Sequence, residues 1–361
     1  MLRSFGQQVE VFERRNDDLA GHGALRLARD TIWAPGPAGE LAAAIARFRP
    51  DVVHAHNTFP SLSPALAWVT ARAGVPYVQT LHNFRLVCPQ GMLQREGRGC
   101  MDCVGHLPLP AVRHACYRDS RAATGVLATM LATHRLLGTW TRKVARFIAL
   151  SEFSRGVFIA GGLPAGRIVV KPNFVADPAA VAPAREDVLL FAGRLVADKG
   201  IATLAAMAAA APELRFRVLG AGPQRALLER LPNVELLGEQ PAAIVRREML
   251  RAGALLLPSV GHENFPRSLV EAAALGLPAF ASDQGALREI VVDGQTGWLL
   301  PPGDATAWVD ALRAARGQAG EFERRGAQAR AHYLAHWTAQ RNLERLMAIY
   351  SGVIGAPMPD S

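Results

Sequence analysis

Apolar, β-branched runs recur along the chain at intervals of roughly 20 to 40 residues, with helix-periodic segments between them, and this alternation predicts parallel sheets covered on both faces. In the first half the pattern predicts strands over 9–12, 52–54, 77–81 and 147–150. In the second half it predicts strands over 188–192, 215–219, 234–237, 254–257, 279–281 and 297–300. Helices are predicted between them, among others over 200–211 and 267–275, with a long one over 125–146. The stretch 321–354 has helical spacing with Tyr333, Trp337, Leu343, Leu346 and Tyr350 inward, which reads as one or two closing helices.

The chain has 361 residues, which at about 150 residues per domain suggests two domains. Half of the residues are hydrophobic and 20% charged, a composition that excludes global disorder. The boundary is predicted near 170–175, followed by an Ala/Pro-rich connection over 176–185. The expected organisation is therefore an α/β protein with a domain over 1–172, a second over 173–332 and a closing segment over 333–361. If each half is a doubly wound sheet, a ligand is expected in the crevice at the carboxyl ends of the strands. Lys and Arg number 40 against 31 for Asp and Glu, a formal charge of +9 that favours acidic partners: phosphorylated substrates, an anionic membrane surface or nucleic acid. No run reaches the roughly 18 apolar residues of a membrane span, the N-terminus lacks a signal peptide's apolar core, and four cysteines are too few to carry stability. A cytoplasmic location is expected.

The densest chemistry lies in 258–278. Glu263 falls in a loop after a predicted strand, and Glu271 lies in the following helix, whose first residue is read as Pro266. The free N–H groups of Arg267 to Leu269 would bind a phosphate oxygen. Apolar neighbours on nearly every side of Glu271 predict that its carboxylate is drawn inward, where it needs donors such as sugar hydroxyls. A second group is Arg194 and Lys199, on the connection after the strand ending at Gly193. Two fixed cations can neutralise a departing diphosphate, so no catalytic metal is expected. The rival reading of both groups is solvated surface charge. Gly220 and Gly222 fit either a tight turn into another helix or close backbone approach to a nucleotide.

The two glutamates, with seven residues between them, resemble the motif of retaining GT-B glycosyltransferases of family 4, and the Gly-Arg-Leu to Lys-Gly stretch around Arg194 and Lys199 matches as well. The resemblance implies two Rossmann-like domains facing across a cleft. It assigns Glu263 to the donor sugar, Glu271 to the ribose, and Arg194 and Lys199 to the diphosphate. Asn264, Phe265, Pro266, Arg267, Ser268 and Leu269 would form the cradle, with Leu237 and Gly238 near the base. Pro266 stands where many relatives have Gly, which removes one N–H from that cradle. The resemblance points to His82 as the histidine that contacts the donor sugar across the cleft; His56, with Asn57 and Asn83, reads as acceptor-side, His56 fitting a core position equally well, and His54 reads as structural. Family domains open with a strand and a Gly-rich loop, whereas residues 2–12 resemble the end of the first helix and the second strand, so about 20 to 25 residues are expected to be missing.

The implied activity is transfer of a sugar from a nucleotide-sugar donor to a glycan or lipid-linked hydroxyl acceptor, in bacterial surface polysaccharide or glycolipid synthesis at the inner face of the cytoplasmic membrane, with no nucleic-acid partner. Alternatives are a nucleotide-sugar-binding protein without turnover and a GT-B sugar-nucleotide epimerase. Cys88, Cys100, Cys103 and Cys116 lie in an insertion over 84–120. Their spacing fits a structural zinc site, in which His106 or His114 could replace a thiol, as well as reduced thiols or a disulfide. The basic end of the helix over 125–146 fits either a solvated helix end or a membrane-surface face.

Overall fold

A computed structural model describes residues 2–15, 17, 21–178 and 185–355. They form two compact units. The first comprises the described residues of Met1–Leu93, Met101–Lys171 and Leu343–Ser361; the second comprises Gln94–Cys100 and the described residues of Pro172–Asn342. Twelve strands are found among the described residues. They are β1 (Val53–His56), β2 (Tyr77–Thr80), β3 (Gln94–Arg95), β4 (Arg98–Gly99), β5 (Arg146–Ala149), β6 (Ile168–Val170), β7 (Leu189–Ala192), β8 (Phe216–Leu219), β9 (Val234–Gly238), β10 (Ala254–Leu257), β11 (Ala279–Ser282) and β12 (Gly297–Leu300).

The first unit holds a parallel sheet in the order β1-β2-β5-β6. Strand alternation sends Tyr77, Phe147 and Ala149 into a core shared with Leu41, Ile45, Leu127, Met130 and Leu131. Val78 and Ile148 point to the other face and are covered by Leu346, Tyr350 and Val353. The expected closing segment therefore divides between the units. Tyr333 and Trp337 are buried in the second unit, whereas helix Ala339–Ser351 carries its apolar stripe back to the first. Residues 356–361 of that segment lie outside the described residues, as do 179–184 of the expected connection.

The second unit holds a six-stranded parallel sheet in the order β12-β11-β10-β7-β8-β9. The chain steps outward from β7 to β9, then returns to the opposite side of β7 and steps outward again from β10 to β12. Leu189, Phe191, Phe216, Val218, Ala254, Leu256 and Phe280 share a core with residues of helices Ile201–Ala210 and Ala305–Arg316. The alternate residues Leu190, Leu255, Leu257 and Ala281 are buried too. Burial on both faces is the reason these strands read as continuous apolar runs.

Three expected elements are corrected. Residues 9–12 form no strand: the segment has no ladder partner, Val11 is 63% exposed, and Glu10 and Arg14 are held by ion pairs with Arg47 and Glu40. The long helix over 125–146 is instead Arg121–Leu136, whose N-cap Ser120 Oγ accepts from the Ala123 N–H at 3.2 Å. Gly138, at φ 66°, breaks it, and a short turn Thr139–Arg142 follows. After Gly222 only a 3-10 turn forms, Arg225–Leu227, and Pro232 closes the stretch before a helix could extend, although Leu228 is buried in the core. Strand β6 and the β3–β4 hairpin were not anticipated. The hairpin's signal was the Glu96-Gly97 pair, which takes positive φ at both positions, as a two-residue turn requires.

Arg185 anchors the second unit just after the connection. One guanidinium nitrogen donates to the carbonyls of Met249 (3.2 Å), Leu250 (3.4 Å) and Ala252 (2.9 Å), and another to those of Leu275 and Gly276 (both 2.9 Å). These carbonyls end helices Ala242–Arg251 and Arg267–Ala274, where a cation also meets the negative poles of both helix dipoles. Arg185→Ala should lower the unfolding free energy by about 2–3 kcal/mol, and Arg185→Lys should recover only part of it because an ammonium cannot fork between two helix ends. Urea unfolding followed by tryptophan fluorescence measures both.

Candidate active site

In the second sheet the strand order reverses between β7 and β10, and ligands of such sheets bind outside the carboxyl ends of the strands at this point. The loops that leave these two strands carry Lys199 and Glu263. They are pressed together at Gly200, whose φ is 72° and where a Cβ would lie 1.8 Å from the carbonyl oxygen of Pro258. The N–H groups of Val260 and Gly261 both donate to the Asp198 carbonyl, at 2.9 and 3.0 Å. Across this seam Lys199 Nζ donates to Glu263 Oε1 at 2.5 Å, and Ser259 Oγ donates to the same oxygen at 2.7 Å. The two charged side chains are only 18% and 12% exposed. Gln284 Nε2 fixes the glutamate loop from below by donating to the carbonyls of Ser259 (2.6 Å) and Gly261 (3.0 Å). A charge pair this dry is tolerated only with such added hydrogen bonds. Sequence reasoning missed Ser259 and Gln284, since neither residue type signals a role by spacing.

Arg194 is exposed and makes no ion pair among the described residues, so its charge is uncompensated. Its loop continues the strand ladder: Gly193 N–H donates to Leu219 O at 2.9 Å and Leu195 N–H to Ala221 O at 2.8 Å. A Cβ on Gly220 would lie 1.8 Å from Gly193 O, and one on Gly222 would lie 2.4 Å from Leu195 O. The close backbone approach these glycines permit is therefore to the Arg194 loop. Leu237 and Gly238, at the end of β9, join the same rim: Gly220 N–H donates to Gly238 O at 2.7 Å, and Gln240 Nε2 caps Leu237 O at 2.6 Å.

The glutamate-bearing helix differs from expectation in four respects. Pro266 is the N-cap, and Arg267 is the first helical residue. The N–H groups of Arg267 and Ser268 have no partner among the described residues, but that of Leu269 donates to Pro266 O at 3.3 Å and is spent. The side chains of Phe265 and Leu269 are buried, Phe265 edge-on to Trp337 at 6.4 Å, so they anchor the cradle rather than face a ligand; Asn264 is half-buried beside them. Glu271 is not fully drawn inward. About a third of its side chain (35%) is open, with Arg267 Nη2 at 3.4 Å, and burial of the remainder raises its pKa against the opposing pull of Arg267 and Arg246.

In the first unit the carboxyl ends of the neighbouring strands β1 and β2 gather the residues expected on the acceptor side. His56 Nδ1 and His82 Nε2 share a hydrogen bond of 2.8 Å, and Asn83 Nδ2 donates to Asn57 Oδ1 at 3.4 Å. His54 is engaged on both ring nitrogens, with the Tyr350 hydroxyl and with Thr80 Oγ1, each at 2.7 Å. Its ring lies 4.2 Å from that of His56. Burial, then the neighbouring imidazoles and Lys171, pushes His54 down to about 3 and His56 to about 4, and His82 is lowered by burial and Lys171. Lys171, buried at the end of β6, is itself lowered to about 8 by burial and by Arg345.

All four cysteines are free thiols, and among the described residues no three His, Cys, Asp or Glu side chains are grouped to hold a metal ion. Cys88 packs as a small apolar side chain in the core beside Phe84 and Val87, and Cys103 is buried as well. Cys100 ends the hairpin segment that belongs to the second unit, so the thiols are distributed between the units.

Two parallel-sheet units, one with cations and carboxylates at its switch point, define the GT-B class of glycosyltransferases. The chain belongs to this class: residues 1–177 match the Glycosyltransferase Family 4 model and residues 186–316 the Glycosyl transferases group 1 model. It is 27% identical over 363 residues to a GDP-mannose-dependent alpha-mannosyltransferase of Mycolicibacterium smegmatis, covering 93% of this chain and 90% of that one. Stronger local matches are shorter. An exopolysaccharide phosphotransferase of Streptomyces coelicolor is 38% identical over 131 residues, 33% of this chain and 14% of that protein. A phosphatidyl-myo-inositol mannosyltransferase of Mycobacterium leprae is 34% identical over 104 residues, 28% of each. The chain thus spans less than a third of these two curated relatives. Among solved structures, HepE of Anabaena in complex with UDP has the same fold at a TM-score of 0.65 and 17% identity, covering 87% of this chain and 82% of that one.

The histidine cluster predicts a pH dependence. His54 and His56 have pKa values of about 3 and about 4 in the folded protein, against 6.5 when unperturbed. Between these values the unfolded chain binds more protons than the folded one, so stability falls as pH is lowered through this window. Lys171 is charged in both states there and adds no slope. Urea unfolding at a series of pH values from about 7 to about 4.5 should show this loss, and His54→Gln with His56→Gln should flatten it.

Proposed function

We propose that this protein transfers a sugar from a nucleoside diphosphate donor to a hydroxyl acceptor, with retention of anomeric configuration, in the assembly of a surface polysaccharide or glycolipid. The observation that carries the reading is the Lys199–Glu263 pair at the switch point, with the uncompensated Arg194 on the same loop as Lys199. Arg194, Lys199 and the free N–H groups of Arg267 and Ser268 would hold the diphosphate and stabilise its charge as the glycosidic bond breaks. Glu263 would accept from a hydroxyl of the sugar, and Glu271, partly open on its helix, from the ribose. The departing phosphate would take the acceptor's proton on the same face, which gives retention without a covalent glutamate adduct. His82, tied to His56, is the imidazole we assign to the reacting sugar. The UDP in HepE and the GDP-mannose dependence of the mycobacterial relative support a nucleotide-sugar donor.

We also propose contact with a membrane surface, where a lipid-linked acceptor would be met. No helix among the described residues is long and apolar enough to cross a membrane. Leu107, Leu109 and Leu136 are nevertheless 61%, 66% and 84% exposed, and Arg135 Nη1 ties their two segments by donating to His106 O at 2.8 Å. Exposed Arg113, Arg118 and Arg121 lie on the same helices or between them, a combination suited to anionic headgroups.

Two experiments test these readings. Calorimetric titration with UDP-glucose, UDP-N-acetylglucosamine and GDP-mannose should find a donor, and Lys199→Ala or Glu271→Ala should weaken it about tenfold or more. Wild-type affinity in both variants would overturn the site, and the anomeric configuration of the product, read by NMR, decides retention. Co-sedimentation with phosphatidylglycerol vesicles should be lost in Leu136→Asp and should weaken with added salt; binding unchanged by either overturns the membrane contact.

A further inference from the structure

The seam that holds Lys199 and Glu263 is covered by a third segment to which the donor assignment gives no role. The β3–β4 hairpin, Gln94 to Gly99, belongs to the second unit although the chain on both sides of it belongs to the first. A Cβ on Gly97 would lie 3.2 Å from the Cβ of Ala197, two residues before Lys199. One on Gly99 would lie 2.9 Å from Nε2 of His262, the residue before Glu263. One on Gly261 would lie 3.3 Å from Oε1 of Gln94 and 2.7 Å from the Cβ of Asp198. The hairpin therefore rests where the two loops are joined by the Val260 and Gly261 hydrogen bonds to Asp198.

Packing does not account for this placement. The six residues Gln-Arg-Glu-Gly-Arg-Gly contain no apolar side chain, so the hairpin adds none to a core, and a two-stranded hairpin this short has little independent stability. What it brings to the seam is an amide. Gln94 is half-buried against Gly261, and His262, whose pKa is lowered by burial, is half-buried against Gly99. Uncharged groups that can both donate and accept suit sugar hydroxyls, whereas a phosphate would call for the cations already on the other loop.

We propose that the β3–β4 hairpin is a specificity element for the transferred sugar, with Gln94 and His262 reading a hydroxyl of the donor hexose beyond the one held by Glu263. This rests on the donor reading above. It would make residues 94–99 of the cysteine-bearing insertion part of the donor site of the second unit.

The test compares two ligands that differ only by the sugar. Wild type, Gln94→Ala and Gly99→Leu are titrated calorimetrically with the nucleotide sugar selected from the panel above and with the matching free nucleoside diphosphate, UDP or GDP. In both variants the nucleotide-sugar affinity should fall about tenfold, the value of one lost hydrogen bond, with diphosphate affinity held within about twofold. Equal losses for both ligands would mean that the hairpin merely braces the loops, and unchanged affinities would mean that it faces no ligand; either result overturns the proposal while leaving the donor site intact. If wild type binds neither nucleotide sugars nor diphosphates, the donor reading fails and the hairpin assignment fails with it. Thermal unfolding monitors folding, and should Gly99→Leu not fold, Gln94→Ala decides alone.

Discussion

One ion pair organises the second unit's chemistry. Lys199 and Glu263 belong to loops that leave adjacent strands in opposite topological directions, and nothing in the chain's local order brings them together. The sheet does so, by inserting β7 between β8 and β10. Once formed, the pair is too dry to stand on Coulomb attraction alone, so its surroundings are constrained in turn: Ser259 must donate to the carboxylate, Gln284 must hold the loop carbonyls, and residue 200 must lack a side chain to let Pro258 approach. Because the pair is neutral as a whole, the uncompensated positive charge on these loops is that of Arg194, with the N–H groups of Arg267 and Ser268 unpartnered among the described residues.

The first unit solves a different problem with similar means. Three imidazoles and a buried lysine at the ends of β1, β2 and β6 would repel one another if charged, and burial keeps the histidines neutral near pH 7, where neutral rings can share protons. His56 and His82 then need only one proton between them. Tyr350 and Thr80 occupy both nitrogens of His54, which fixes the ring that lies tilted against His56. The arrangement of the imidazoles is thus set by residues from separate parts of the chain.

The sheets were legible in the sequence because their strands are buried on both faces and read as unbroken apolar runs. The acidic and basic groups were legible because they follow such runs directly, where loops of parallel sheets carry ligands. Other features depend on partners that spacing does not reveal. Residues 9–12 have strand composition but no neighbour to pair with. The four cysteines have metal-like spacing, but Cys88 and Cys103 are taken up as core side chains and Cys100 belongs with the other unit. Gly138 breaks a helix that periodicity alone would continue through Trp140. Ser259, Gln284 and the β3–β4 hairpin act through contacts with distant segments, and a polar side chain's distant partner leaves no local trace.

The path of the final helix, Ala339–Ser351, sets the terms on which the halves could ever be exchanged or expressed apart. Its first turn belongs with the second sheet, yet Leu346, Tyr350 and Val353 roof the first. Cutting at the obvious linker would strip Val78 and Ile148 of their cover and take Tyr350 away from His54. A chimera that grafts a foreign second unit must therefore import or rebuild that roof, and the chain passes between the units at four places, near 93, 100, 171 and 342, rather than at one.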